Sequence, residues 1–87
     1  MDYGIEKIFN FAYMNITERI EYIVALINEF AAHYHITDAQ AVEYLVRYGA
    51  IAMCEEHYNV MHTLSFRDNV EGLSAYCNRK GGNLIFG

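Results

Sequence analysis

The stretch EEHYNVMHTLSF, residues 55–66, puts two histidines, two carboxylates, a tyrosine, a threonine and a serine into twelve positions, with Cys54 just before it and Cys77 eleven residues after it. Three chemistries could use such residues. A metal would take thiolates and imidazoles. Cys54 and His57, at i and i+3, could chelate from one helix, but structural zinc sites pair close ligands twice, and His62 and Cys77 stand fifteen positions apart. The thiols also fit the apolar faces of their helices, so neither a metal nor a cofactor is expected. Catalysis would need a nucleophile, a base and an orienting group converging on a pocket. Cys54 with His57 could form a thiolate pair, and Glu56 with His62 a base and its orienter. Neither pair sits in a known motif: there is no glycine-rich phosphate loop, no G-x-S-x-G and no H-E-x-x-H. The expectation is a non-enzyme. The competing alternative is a small Cys/His metal protein or enzyme centred on Cys54, His57 and His62. The third chemistry is local. Ser65 caps a helix, His62 and Thr63 satisfy backbone groups between two helices, and His57 with Tyr58 locks the corner.

The elements that must hold this corner are helical. Proline is absent, and glycine occurs at positions 4, 49, 72, 81, 82 and 87, which leaves long unbroken stretches. Residues 1–14 read as a short helix through Ile5, Ile8, Phe9 and Ala12. Asn15, with Glu18 three positions on, predicts a fresh helix start. Ile16, Ile20, Ile23, Ile27, Phe30 and Tyr34 then form an apolar seam widened by Val24 and Ala31. Thr37 and Gln40 make a capping box for a helix that buries Ala39, Val42, Leu45, Val46 and Gly49 and stops at that glycine. A short helix from Ala50 to His57 turns Ile51, Cys54 and Met53 inward. NVMHTL reads as a connector pinned by Val60, Met61 and Leu64. Ser65 opens the last helix, with Phe66, Val70, Leu73 and Cys77 on one face, Lys80 near its C-terminus and Gly81-Gly82 after it. The expected fold class is all-α: one domain over residues 1–87, a compact bundle of four to five helices, with 1–14 as an extension and 83–87 as a tail. That tail, NLIFG, could fold back or add to a partner's sheet edge.

Composition narrows the partners. The net charge is −5, and over residues 1–64 acids outnumber bases nine to three. Phosphate backbones select clustered cations, so nucleic acid is not an expected ligand. The stretch from Ile36 to Tyr58 has the rhythm of a helix-turn-helix, but its second helix would present Glu55 and Glu56 to DNA and no Lys or Arg. No apolar run approaches the roughly 20 residues of a membrane span, and no basic region precedes a long apolar one. The expectation is a cytoplasmic protein away from membranes, with free thiols. Eight tyrosines and a hydrophobic fraction of 54% point to apolar surface shared with another protein or a second copy.

Residues 16–82 resemble a bacterial family known as domain of unknown function 3791. The resemblance rests most on HYNVMHTLSF, where the family has a similar His-Thr followed by a small polar and an aromatic residue, and on the closing YCNRKGG. The family is small and helical, with no assigned catalytic activity. Its members are often encoded beside a protein of ADP-ribosyltransferase-like type, which implies a toxin and a small neutralising partner. The positions that match are Tyr58, His62, Thr63, Ser65, Phe66, Tyr76, Cys77, Arg79 and Lys80.

The function expected on these grounds is a non-catalytic, protein-binding helical module, the antitoxin-like partner of an ADP-ribosyltransferase-like protein. His57, Tyr58, His62, Thr63, Ser65 and Phe66 form the interaction or structural corner. Tyr22, Tyr44, Tyr48, Arg79 and Lys80 are the expected surface contacts. Glu18, Glu21, Glu29, Glu43 and Glu55 would steer a basic partner.

Overall fold

The computed structural model describes residues 2–83, with side chains from residue 16 onward. Leu84 to Gly87 lie outside the described residues, so the expectation for the tail does too. The fold is all-α: α1 Asp2–Tyr34, α2 Asp38–Arg47, α3 Ala50–Glu56, α4 Tyr58–Met61 and α5 Phe66–Arg79. Among the described residues there is no strand, and no helix is long and apolar enough to cross a membrane.

The first helix corrects the expected break at Asn15. The backbone is helical from Asp2 through Tyr34 without interruption. Asparagine inside a helix costs only a few tenths of a kcal/mol relative to the better helix formers. With no glycine or proline beside it, the hydrogen-bond ladder runs through the capping signal. The real end is at His35, which takes the left-handed conformation (φ 56). There the His35 N–H donates to Ala32 O (3.4 Å) and the Ile36 N–H to Ala31 O (3.0 Å), the paired bonds of a Schellman closure. Histidine fills a place usually held by glycine.

The later boundaries follow their signals. Thr37 Oγ1 accepts from Gln40 N–H (3.0 Å) while Gln40 Oε1 accepts from Thr37 N–H (2.9 Å), so the capping box is complete. Gly49 (φ 75) turns the chain from α2 into α3. Ser65 Oγ accepts from Asp68 N–H (3.1 Å) at the start of α5. At its end the Gly81 N–H reaches Asn78 O (3.0 Å) and the Gly82 N–H reaches Cys77 O (2.9 Å), with Gly81 at φ 93. The stretch expected to be an irregular connector contains α4, a single helical turn.

The core gathers Leu26, Phe30, Leu45, Cys54, Leu73 and Cys77, with Val70, Ala31, Ala41, Ala50, Tyr44 and Met61 around them. It sits against the C-terminal half of α1, and this corrects several expected burials. Ile16 and Ile20 are each 56% exposed, and Val24 is exposed with them, because the other helices pack along α1 from about Tyr22 onward. Leu26 takes the place assigned to the earlier isoleucines. In α2 the buried side chains are Ala41, Tyr44 and Leu45; Ala39, Val42 and Val46 face solvent. The helix is rolled by about one residue because the Tyr44 ring, stacked at 5.9 Å on Phe30, takes the inward position. Val60 and Leu64 do not pin the connector. Met61 does so alone.

Candidate functional site

The corner is built around one buried asparagine. Asn69, one turn into α5, sends one Nδ2 hydrogen to the Tyr22 hydroxyl and the other to Met61 O (2.7 Å). The Tyr22 hydroxyl donates in turn to Met61 O (3.1 Å). One α4 carbonyl is therefore gripped from α1 and from α5 together. Aromatic rings wrap the outside. Tyr22 meets Tyr58 edge-on at 5.4 Å and stacks with Phe66 at 5.8 Å, and Tyr58 stacks on His62 at 4.8 Å. The Arg19 guanidinium lies over the Tyr58 ring at 5.3 Å, with its Nε buried and without a hydrogen-bond partner.

The polar side chains of the stretch mostly serve the backbone. His62 Nδ1–H donates to Tyr58 O (2.8 Å), and a carbonyl acceptor requires that this nitrogen carry the proton. Thr63 Oγ1–H donates to Val60 O (2.6 Å), and Ser65 is the N-cap. His57 forms the joint between α3 and α4: its N–H bonds Met53 O and its carbonyl accepts from Val60 and Met61. Both histidines are exposed.

The tyrosines expected at the surface are placed differently. Tyr44 is buried, and its hydroxyl donates to Gly82 O. Tyr48 is half-buried and lies so close to Gly82 that a Cβ there would overlap its ring. Tyr22 is half-buried inside the corner network. All three tie helices together, which corrects their assignment as exposed contacts. Their apolar bodies earn burial and each hydroxyl or ring finds a partner. Arg79 is exposed, and Lys80 is exposed with its Nζ over the Tyr76 ring at 5.5 Å. Glu18, Glu21, Glu29, Glu43 and Glu55 are all exposed.

Cys54, His57 and His62 are not gathered into one site. Among the described residues no three His, Cys, Asp or Glu side chains come together. Cys54 and Cys77 are buried. Burial first, then the neighbouring Cys77 and Glu55, pushes the Cys54 thiol up to about 11, and burial likewise raises Cys77. Such a thiol stays protonated at neutral pH and is a poor nucleophile or metal ligand. Tyr44 is pushed up to about 12, mainly by burial.

These shifts give an alkaline instability with a definite sign. The folded state holds its protons to higher pH than the unfolded chain, so the stability is whole below about pH 9, the ordinary cysteine value, and is lost as pH climbs toward 11. Urea midpoints across that range should fall steeply, and the fall should be shallower in Cys54→Ala.

Beside the corner, α3, α4, α5 and the turn before α5 surround an open cleft of about 370 Å³, lined by the apolar Met53, Met61, Leu64 and Leu73 and by the polar His57, Asp68, Asn69, Tyr76 and Arg79. Sequence reasoning missed the cleft because its lining comes from three helices whose relative placement periodicity does not encode. It missed Asn69 as well, although position 69 falls one helical turn after Phe66, on the packed side of α5.

No curated protein and no solved structure matches the chain. The family described as Protein of unknown function (DUF3791) matches residues 21–80, more than two thirds of the chain and nearly all of the bundle. The chain belongs to that family.

Proposed function

We propose that the protein is a non-catalytic module that binds another protein through the cleft between α3, α4 and α5. The observation that carries this reading is the cleft lining. Two methionines, Met53 and Met61, and two leucines offer an apolar, adaptable lining, and His57, Asp68 and Arg79 supply polar groups to set orientation. The exposed Val60, Leu64 and Phe66 extend the apolar surface across the corner. The acidic outer faces attract a basic partner from a distance and speed encounter more than they tighten the complex.

The partner proposed is the ADP-ribosyltransferase-like protein implied by the gene neighbourhood of the family, with this chain as its antitoxin-like companion. The test is calorimetric titration of the purified chain into that neighbour. Binding is expected, and Leu64→Glu and Arg79→Glu should each weaken it about tenfold or more, equivalent to about 1.4 kcal/mol per decade. Both residues are exposed, so their far-UV spectra should match the parent. Absence of heat and of co-elution with the parent chain would sink this reading. His57→Ala and His62→Ala separate it from an enzyme reading: an activity lost with the fold intact would favour the enzyme.

A further inference from the structure

The cleft beside the corner has two sides. Met53, His57 and Met61 recur at every fourth position along α3 and α4. Asp68, Gly72, Tyr76 and Arg79 fall at i, i+4, i+8 and i+11, on one face of α5. The two sides run in opposite directions. Tyr76 lies by the start of α3, where a Cβ on Gly49 would stand 3.9 Å from its hydroxyl, and Asn69 lies by α4, where it holds Met61 O.

Gly72 has no internal reason to be glycine. It is exposed in the middle of α5, its φ lies outside the left-handed region, and a Cβ built on it meets none of the described residues within 4 Å. By contrast, Gly49 and Gly81 hold a positive φ, and Gly82 lies against the Tyr48 ring. Glycine inside a helix is less stable than alanine, because it gives up more backbone freedom on folding. What it supplies in the wall of a cleft is bare backbone that another molecule can approach closely.

The charges limit what that molecule is. Asp68 and Arg79 stand at the two ends of the α5 face, eleven positions or about 16 Å apart, and among the described residues neither is in an ion pair. On an α-helix a base and an acid eleven positions apart return to the same face, three turns along. An extended segment would fit less well. Both walls are helices whose backbone groups are spent on their own ladders, so a strand would bring in N–H and C=O groups with nothing to pair with, whereas a helix satisfies its own. A small ligand fits less well too, since such ligands bury most of their surface and this cleft is open along its length.

We propose that the cleft takes an amphipathic helix of the partner protein. The helix lies along α5 with its closest approach at Gly72, its apolar face on the two methionines and Leu64, and a basic and an acidic side chain opposite Asp68 and Arg79. This rests on the binding role proposed for the cleft and adds the kind of element that the cleft receives.

The test uses three stapled helical peptides of about 16 residues. They share one leucine face and differ only at two positions eleven apart, which carry lysine with glutamate, two lysines or two glutamates. Titrated into the isotope-labelled full chain, the mixed peptide is expected to shift the amide signals around Gly72 and to bind about tenfold tighter than either same-charge peptide. Gly72→Ala should raise the urea midpoint of the free chain and weaken the mixed peptide about threefold, and Gly72→Met should weaken it about tenfold or more. The proposal is overturned if the mixed peptide does not bind, if all three bind alike, or if Gly72→Met binds as the parent does. A lowered midpoint for Gly72→Ala overturns it as well, since the glycine would then serve the fold. Titration of the ADP-ribosyltransferase-like neighbour separates this proposal from the one it rests on. If the mixed peptide binds and the neighbour does not, the named partner falls and the helix-binding cleft stands. If the neighbour binds and the mixed peptide fails to displace it, the partner stands and the helix falls.

Discussion

Phe30→Ala is expected to bring the protein to the edge of unfolding at room temperature. The ring is fully buried and sits between Tyr34, at 4.9 Å, and Tyr44, at 5.9 Å. Truncating a buried phenylalanine costs about 3–5 kcal/mol, part from lost transfer energy and part from the cavity left behind. A domain of this size has on the order of 4–13 kcal/mol in total. The cavity cannot collapse easily, because Tyr44 is held from the other side by its bond to Gly82 and Tyr34 begins the closing turn of α1. Urea titration should show the midpoint falling by at least a quarter, and at the upper end of the cost no folded baseline at all. Val46→Ala, equally apolar but exposed, should stay within about 0.5 kcal/mol of the parent. Equal midpoints for the two variants would mean that the core is not centred where the structure puts it.

The second large effect belongs to Asn69→Asp, and it should depend on pH. The amide gives both of its hydrogens, one to the Tyr22 hydroxyl and one to the Met61 carbonyl. A carboxylate has none to give. It would face a carbonyl oxygen across a buried gap, and an unpaired buried charge costs about 3–5 kcal/mol. The folded state would hold a proton on that group more tightly than the unfolded chain does. Stability would then be greatest below about pH 4, the ordinary aspartate value, and would decline as pH rises. Asn69→Ala, which loses the hydrogen bonds without adding charge, should cost about 1–3 kcal/mol with no such slope. A flat pH profile for Asn69→Asp would show that the Asn69, Tyr22 and Met61 grip is not closed to water.

Much of this was legible in the sequence, and the misses share a cause. Caps are short-range, so Thr37 with Gln40, Ser65 with Asp68, and the two glycines after Lys80 could be read directly. Asn15 carried an equally good capping signature and yet lies inside α1, because a cap forms only where the ladder stops and nothing nearby stops it. Periodicity told which face of a helix wants cover, and it could not tell where cover ends. Ile16 and Ile20 were therefore assigned to the core along with Phe30. In α2 the valines looked like the buried set, and the larger Tyr44 displaced them by stacking on a residue of another helix. The polar corner was visible as a cluster, but Asn69, the side chain that organises it, was not. Its two bonds reach 47 and 8 positions along the chain, a relation no local pattern carries.

The joints between helices have a further consequence, for the rate at which the chain finds its structure. Connections of one to four residues keep most packing partners close in sequence, and helical domains of that kind fold in microseconds to milliseconds. With no proline, the chain has no imide bond whose slow rotation could hold back a fraction of the molecules. The link from Tyr22 to Asn69 spans 47 positions, so closing the corner costs more loop entropy than closing any of the caps and turns.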